Sequence, residues 1–155
     1  MFKIEKDSQF SFYCDSNEFS GVIKIANKVC NDVDLVIGKK PSVNQVASVS
    51  EIPNEENQLS LIFGTIEKSS LIQNLEKEGK INLSNVRGKN EVYLFAVVDN
   101  QIIIAGSDKR GTIYGLFHLS ELLGVSPLVD WANVLPAKKD QVQIENQNYI
   151  SKEPS

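Results

Sequence analysis

The sequence predicts an α/β domain in which helices pack on a mixed sheet of about five strands. Three observations carry this reading. Short apolar runs of strand length alternate with stretches whose apolar residues recur every three or four positions, the pattern of helices covering a sheet. Two of the runs, "EVYLFAVV" and "QIIIAG", are separated only by Asp99-Asn100, a dipeptide suited to the positive backbone angles of a tight antiparallel hairpin. The chain has 155 residues, 41% of them hydrophobic, enough for one domain with a proper core and too few for two of ordinary size.

The elements follow in order. Residues 10–14, "FSFYC", alternate apolar and polar and read as a strand. The segment from residue 16 to 37 opens with capping residues and places Val22, Ala26, Val29, Val33 and Val36 on one helix face, with Gly38 and Pro41 as stop signals. A weak strand and the surface loop "EIPNEENQ" fill residues 42–58. "LSLIFGTI", residues 59–66, is a continuous apolar run too short for a helix, as in a strand covered on both faces. "KSSLIQNLEKEGK" is a short helix with Leu71, Ile72 and Leu75 inward and Gly79 at its end. After the hairpin comes the strongest helix, residues 109–123, whose apolar positions Ile113, Leu116, Phe117, Leu119, Leu122 and Leu123 span an arc wide enough for burial on more than one side. "QVQIE", residues 141–145, is the last strand, and the tail "NQNYISKEPS" has no element pattern, so the chain reads as cut rather than completed.

Bulk properties exclude several functions. A net charge of −4 gives no sustained positive field for a phosphate backbone, so nucleic acid is not an expected partner. No run of 18 apolar residues and no leader pattern is present, so neither a membrane span nor an export signal is expected within these residues. Cys14 and Cys30 read as two unlinked buried thiols. With one histidine and no CxxC the soft ligands for a closed zinc site are missing, and neither metal nor cofactor is expected.

The turn "GSDKRGTIYG" is the chemically densest place. It lies past a strand end and at a helix start, where unpaired N–H groups and the helix dipole favour anions. Ser107, Asp108, Lys109 and Arg110 are the candidate substrate or interdomain contacts. In the alternative reading Asp108 caps the helix, Gly111 and Gly115 bring its backbone close to the sheet, and Lys109 and Arg110 are solvated. Neither GxGxxG nor GxxxxGK[ST] is present, so the turn carries no nucleotide signature. A Ser107–His118 nucleophilic pair would have to cross the helix, and nothing converges on Glu121 and Asp130; no catalytic residue is assigned. Trp131, the only tryptophan, is either a sugar-stacking platform or a loop anchor, and Tyr93, Trp131 and Tyr149 look scattered.

Residues 61–140 resemble the N-terminal domain of glycoside hydrolase family 115, the xylan α-1,2-glucuronidases. The pieces that carry the likeness are "GTIEKSSLI", "EGKINLSNVRGK" and "IAGSDKRGTIYG…SELLGVSP…WANV", in this order and spacing, and the helix at 16–37 ending in "GKKP" extends it over nearly the whole chain. Two departures remove aromatic surface: Leu128, Val129 and Asp130 stand where the family has bulky aromatics, and Asn90 stands where a tryptophan is common. The resemblance implies a domain like the non-catalytic α/β domain of β-hexosaminidases, spanning residues 1–155 as a single N-terminal accessory unit. It implies that catalysis resides in a following (β/α)₈ barrel outside this chain, toward which "EPS" leads. That barrel releases glucuronic or 4-O-methylglucuronic acid from xylan. Implied partners are the barrel and, through it, xylan-type polysaccharide, in a secreted or periplasmic setting with the leader missing. The alternative is a free-standing carbohydrate-binding or protein-interaction module.

Overall fold

The computed structural model describes residues 1–125 and 137–154. Among these residues eight strands and three longer helices follow in the order β1 (Phe2–Glu5), β2 (Gln9–Asp15), α1 (Ser20–Ile37), β3 (Ser42–Val46), a 3₁₀ turn (Val49–Glu51), β4 (Gln58–Thr65), α2 (Ser70–Lys77), β5 (Tyr93–Val98), β6 (Gln101–Gly106), α3 (Lys109–Leu123), β7 (Gln141–Ile144) and β8 (Gln147–Ile150). Six strands form the main sheet in the order β3-β2-β4-β6-β5-β8. The first four are parallel, and β5 runs antiparallel to both β6 and β8. The expected mixed α/β sheet is thus present with one strand more than expected, and β1 and β7 form a separate antiparallel pair.

The predicted strand at 141–145 is therefore β7, outside the main sheet. The tail is not without structure: Gln147–Ile150 adds to the edge of β5 with Phe95 opposite Tyr149. β1 was not anticipated either, although Phe2 and Ile4 alternate with polar neighbours and are fully buried.

The apolar runs of β4 and β6 are covered on both faces, which is why they are continuous rather than alternating. On one face Phe12, Leu61, Phe63, Phe95 and Ile104 pack with the inward stripe of α1 and with Leu116, Leu119 and Leu123 of α3. Phe2 and Ile4 extend this layer, with the Phe2 and Phe10 rings edge-on at 5.3 Å. On the other face Ile62, Leu94, Ile103 and Ala105 meet Leu71, Ile72 and Leu75 of α2, together with Ile81, Leu83 and Val86 of the loop that follows.

Helix α1 begins at Ser20, four residues later than its capping residues suggest, because Asp15 and Glu18 are drawn into a turn and used elsewhere. It ends as expected at Gly38, whose φ of 91° is a left-handed conformation open to glycine. In the hairpin Asp99 takes the expected positive φ, 54°. Helix α3 is less enclosed than its composition suggests: Leu122 is 39% exposed, and Ile113 and Phe117 are only partly covered.

Two glycines seat α3. A Cβ at Gly111 would lie 2.3 Å from the carbonyl oxygen of Val92, and one at Gly115 would lie 2.4 Å from a methyl of Ile104. The first obstacle is backbone and cannot turn aside. Gly111→Ala is therefore expected to lower stability by about 1–3 kcal/mol despite alanine's better helix propensity. Denaturant unfolding of the two chains checks this, and an unchanged midpoint would show that α3 does not need the close approach.

Candidate functional site

The parallel strands β2, β4 and β6 all end on one side of the sheet, and α1, α2 and α3 all start there. In open α/β sheets this carboxyl edge is where ligands usually bind, because helix N-termini present unpaired N–H groups and a partial positive charge. β5 also begins at this edge, with Tyr93 opposite Gly106, and β8 ends there. The edge therefore gathers the candidate turn at 107–110.

Two of the three helix starts, those of α2 and α3, hold a carboxylate of the chain itself, and at α1 a carboxylate sits on the residue before the helix, which has no side-chain cap. At α3 the Asp108 Oδ1 accepts the Gly111 N–H at 2.8 Å, and its Oδ2 accepts the Glu91 N–H at 3.0 Å. At α2 the Ser69 hydroxyl caps by accepting the Ile72 N–H, and Asp15 Oδ2 accepts from both the N–H (3.0 Å) and the hydroxyl of Ser70. At α1 the Glu18 Oε2 accepts the Phe19 N–H at 3.1 Å. Burial pushes the Asp15 carboxyl up, but its bonds from Ser70 and Asn17 outweigh that and hold it below the usual aspartate value. Glu18 goes the other way: burial raises it above the usual glutamate value although Thr65 and Phe19 donate to it, and the neighbouring Asp15 charge adds to the rise.

Glu18 also ties α1 to the sheet. Its Oε1 accepts the Thr65 N–H at 2.7 Å and its Oε2 the Thr65 hydroxyl at 2.7 Å. Thr65 Oγ1 lies 2.7 Å from Thr112 Oγ1, which in turn donates to the Asp108 carbonyl at 3.1 Å. Gly106 makes room for this, since a Cβ there would lie 2.1 Å from the Thr112 hydroxyl. Apart from Asp108, none of these residues was a candidate from the sequence. The signal was an acidic residue between a strand end and a helix start, seen twice in "CDSNEF", but the partners lie 47 and 55 positions away.

The candidate residues of the turn divide. Ser107 and Asp108 are committed to the segment before β5: Ser107 Oγ accepts the Val92 N–H at 3.0 Å, and the Ser107 N–H donates to the Val92 carbonyl at 2.8 Å. Arg110 is 74% exposed and approaches Glu91 Oε1 at 3.4 Å, while the Tyr114 hydroxyl donates to that same oxygen at 3.2 Å. Lys109 runs across the start of α1, where a Cβ on Gly21 would meet its Cε at 2.9 Å. Trp131 and the departures at Leu128, Val129 and Asp130 lie outside the described residues.

His118 is turned away from Ser107 and joins an aromatic group. Its Nδ1 is 2.9 Å from the Tyr93 hydroxyl, its ring stacks on Phe95 at 4.3 Å, and Tyr149 stands edge-on at 5.0 Å. Tyr93 and Tyr149 are thus neighbours rather than scattered, with ring centroids 6.0 Å apart and planes 48° apart. Burial lowers His118 and raises Tyr93 to about 12, so it favours the neutral form of both. The thiols of Cys14 and Cys30 are unlinked and buried, and burial pushes both up to about 12, which leaves them unreactive. Among the described residues no group of three His, Cys, Asp or Glu could hold a metal. An open cleft of about 220 Å³ lies beside Ser107, lined by Ile66, Glu67, Gln73, Arg87 and Gly88, with Arg87 ion-paired to Glu76.

Two substitutions separate the roles in the turn. Asp108→Ala removes a cap and a second N–H acceptor and should cost about 0.5–2 kcal/mol. Arg110→Ala removes one long, solvent-screened pair and should stay within about 0.5 kcal/mol of the parent. Thermal or denaturant melts of this chain compare them directly; equal losses would contradict the assignment.

No family model matches the chain, and no curated protein sequence matches it. Among solved structures it is similar to a family GH115 4-O-methyl-α-glucuronidase with specificity for decorated arabinogalactans, at a TM-score of 0.79 and 26% identity over 98% of this chain and 18% of that one. The protein CpGH84D shares the fold alone, at a TM-score of 0.59 and 9% identity over 97% of this chain and 21% of that one. The chitobiase of Flavobacterium johnsoniae superposes more loosely, at 0.44 and 19% identity over 78% of this chain and 15% of that one, and bears on nothing further. The chain spans about a fifth of the length of the first two. The resemblance to the N-terminal domain of glycoside hydrolase family 115 thus extends from the motifs to the fold and covers nearly the whole chain.

Proposed function

We propose that this chain is the non-catalytic N-terminal domain of a larger glycoside hydrolase of the α-glucuronidase kind, bracing a catalytic (β/α)₈ barrel. The observation that carries the reading is the pair of coverages: the α-glucuronidase match takes in 98% of this chain and 18% of that enzyme. The carboxyl edge agrees with it, because the starts of α2 and α3, which could hold an anionic substrate, are filled from within. The substrate class is a polysaccharide with glucuronic or 4-O-methylglucuronic acid side groups. Xylan is the choice from the motifs, and decorated arabinogalactan is what the matched enzyme prefers.

Arg110 is the residue of the turn best placed for a contact beyond this domain. Its guanidinium is mostly solvated, and a planar fork can bind a carboxylate of a barrel or of a uronate through two parallel hydrogen bonds. Glu153 lies at the same edge, its Oε2 accepting the Asn90 N–H at 2.6 Å, so the backbone leaves β8 beside Arg110 and Glu91. Ser107 is bonded to Val92 and Lys109 lies across the start of α1, so both are weaker candidates.

The second reading, a carbohydrate-binding module, draws on Tyr93 and Tyr149 standing side by side. Their planes are 48° apart and the Tyr93 hydroxyl is held by His118, so they do not form the flat platform on which a sugar ring stacks.

The purified chain should release no glucuronic acid from glucuronoxylan or glucuronidated arabinogalactan oligosaccharides. Inverting hydrolysis requires two carboxyl groups flanking the glycosidic bond at a separation of roughly 6.5–9.5 Å, and in this reading the barrel supplies both. Turnover that disappears on a point mutation within these residues would overturn the reading.

A further inference from the structure

We infer that the outer face of α3, continued by Tyr149 of β8, is the surface on which the catalytic barrel of the complete enzyme seats. The inference rests on the proposed function and adds to it the face of the domain that does the bracing.

A helix that covers a sheet and meets only water exposes polar residues. The first two helices obey this: the exposed positions are Ser20, Lys24, Asn27, Asn31 and Asp34 in α1 and Ser70, Gln73, Asn74 and Lys77 in α2. Helix α3 does not. Arg110, Tyr114, His118 and Leu122 follow at intervals of four, one row along its surface, and Tyr114 is 43% and Leu122 39% exposed. Tyr149, 44% exposed, stands edge-on to His118 at 5.0 Å and carries the row onto β8. Among the described residues five large apolar side chains are exposed. Three are in this row, and the other two, Met1 and Val98, lie at the hairpin end of the sheet. Tyrosine and arginine are the usual anchors of protein interfaces, because each joins a large contact area to a polar tip.

The row is held in place before any partner arrives. Glu91 Oε1 accepts from the Tyr114 hydroxyl at 3.2 Å and from the Arg110 guanidinium at 3.4 Å. Glu91 itself sits at φ 58°, a left-handed conformation that disfavours a residue with a Cβ, and Asp108 accepts its N–H. His118 is fixed by the Tyr93 hydroxyl and by its stack on Phe95. Side chains ordered in advance lose little freedom on association, so such a row suits a standing contact.

The course of the backbone points to the occupant. Past Tyr149 the chain runs along the start of β5: the Ser151 N–H donates to the Tyr93 carbonyl at 3.0 Å, the Ser151 hydroxyl oxygen accepts the Tyr93 N–H at 2.9 Å, and Glu153 accepts the Asn90 N–H. Residues 151–153 thus run up to the residue before Glu91, which holds Arg110 and Tyr114. Only 18% of the matched α-glucuronidase lies within the likeness, so in the reading above a body far larger than this domain follows, and the backbone delivers it beside this face.

The test is hydroxyl-radical footprinting of the complete enzyme beside the 155-residue chain. Tyr114, Leu122 and Tyr149 should be labelled in the chain and should fall in the complete enzyme to the level of the buried Leu116 and Leu119, while Val98 keeps its labelling. Benzoylphenylalanine in place of Leu122 then identifies what covers the face, and a photo-crosslink to a barrel peptide of the same molecule is expected. A barrel that leaves the labelling of Tyr114, Leu122 and Tyr149 unchanged, or a crosslink that joins two copies instead, would overturn this inference and leave the proposed function standing. A gene that encodes no barrel after residue 155 would overturn both.

Discussion

The structure depends on how the chain satisfies three helix starts crowded at one edge of a parallel sheet. Each start presents N–H groups that no residue of its own helix can accept. The chain answers with Asp15 at α2 and Asp108 at α3, while Glu18, on the Phe19 N–H just before α1, ties that helix to the end of β4. Because Asp15 and Glu18 leave the turn after β2 in different directions, one to α2 and one to the end of β4, this short segment fixes both layers of helices against the sheet.

That arrangement bears on function through what it uses up. A ligand-binding α/β domain leaves its helix starts open at the carboxyl edge, and here those of α2 and α3 are filled. Each cap contributes about 1 kcal/mol, small beside the gross hydrophobic term but comparable in sum with a fair part of a net stability of about 5–15 kcal/mol. The apolar layers around Phe12, Phe63 and Phe95 and around Ile62, Leu71 and Ile103 decide that the chain collapses. The carboxylates decide how the three helices are set when it does. A domain built in this way suits a bracing role, in which a stiff body matters more than a cavity.

Much of this was legible in the sequence wherever the signal was local. The α1 stripe from Val22 to Val36, the Asp99-Asn100 hairpin and the seating of α3 by Gly111 and Gly115 need only spacing and steric reasoning. The readings that failed depend on distant partners. Half of β8 is polar, and it becomes a strand because β5 offers an edge. β1 pairs with β7 from the opposite end of the chain. "CDSNEF" reads as helix capping until Ser70 and Thr65 are brought to it across the sheet. In the turn at 107–110 the sequence pointed to the right place but grouped together side chains with different tasks, since nothing local reveals that Val92 and Glu91 claim Ser107 and Asp108.

Asp15 and Asp108 close the starts of α2 and α3 to anionic ligands. Amide chemical-shift mapping of the chain titrated with glucuronate, with inorganic phosphate as a second anion, tests this closure. The Ser70 and Gly111 amides should show no saturable shift at millimolar anion. Saturable shifts at those two amides, lost when the anion is replaced by a neutral sugar, would show that the carboxylates leave the edge open.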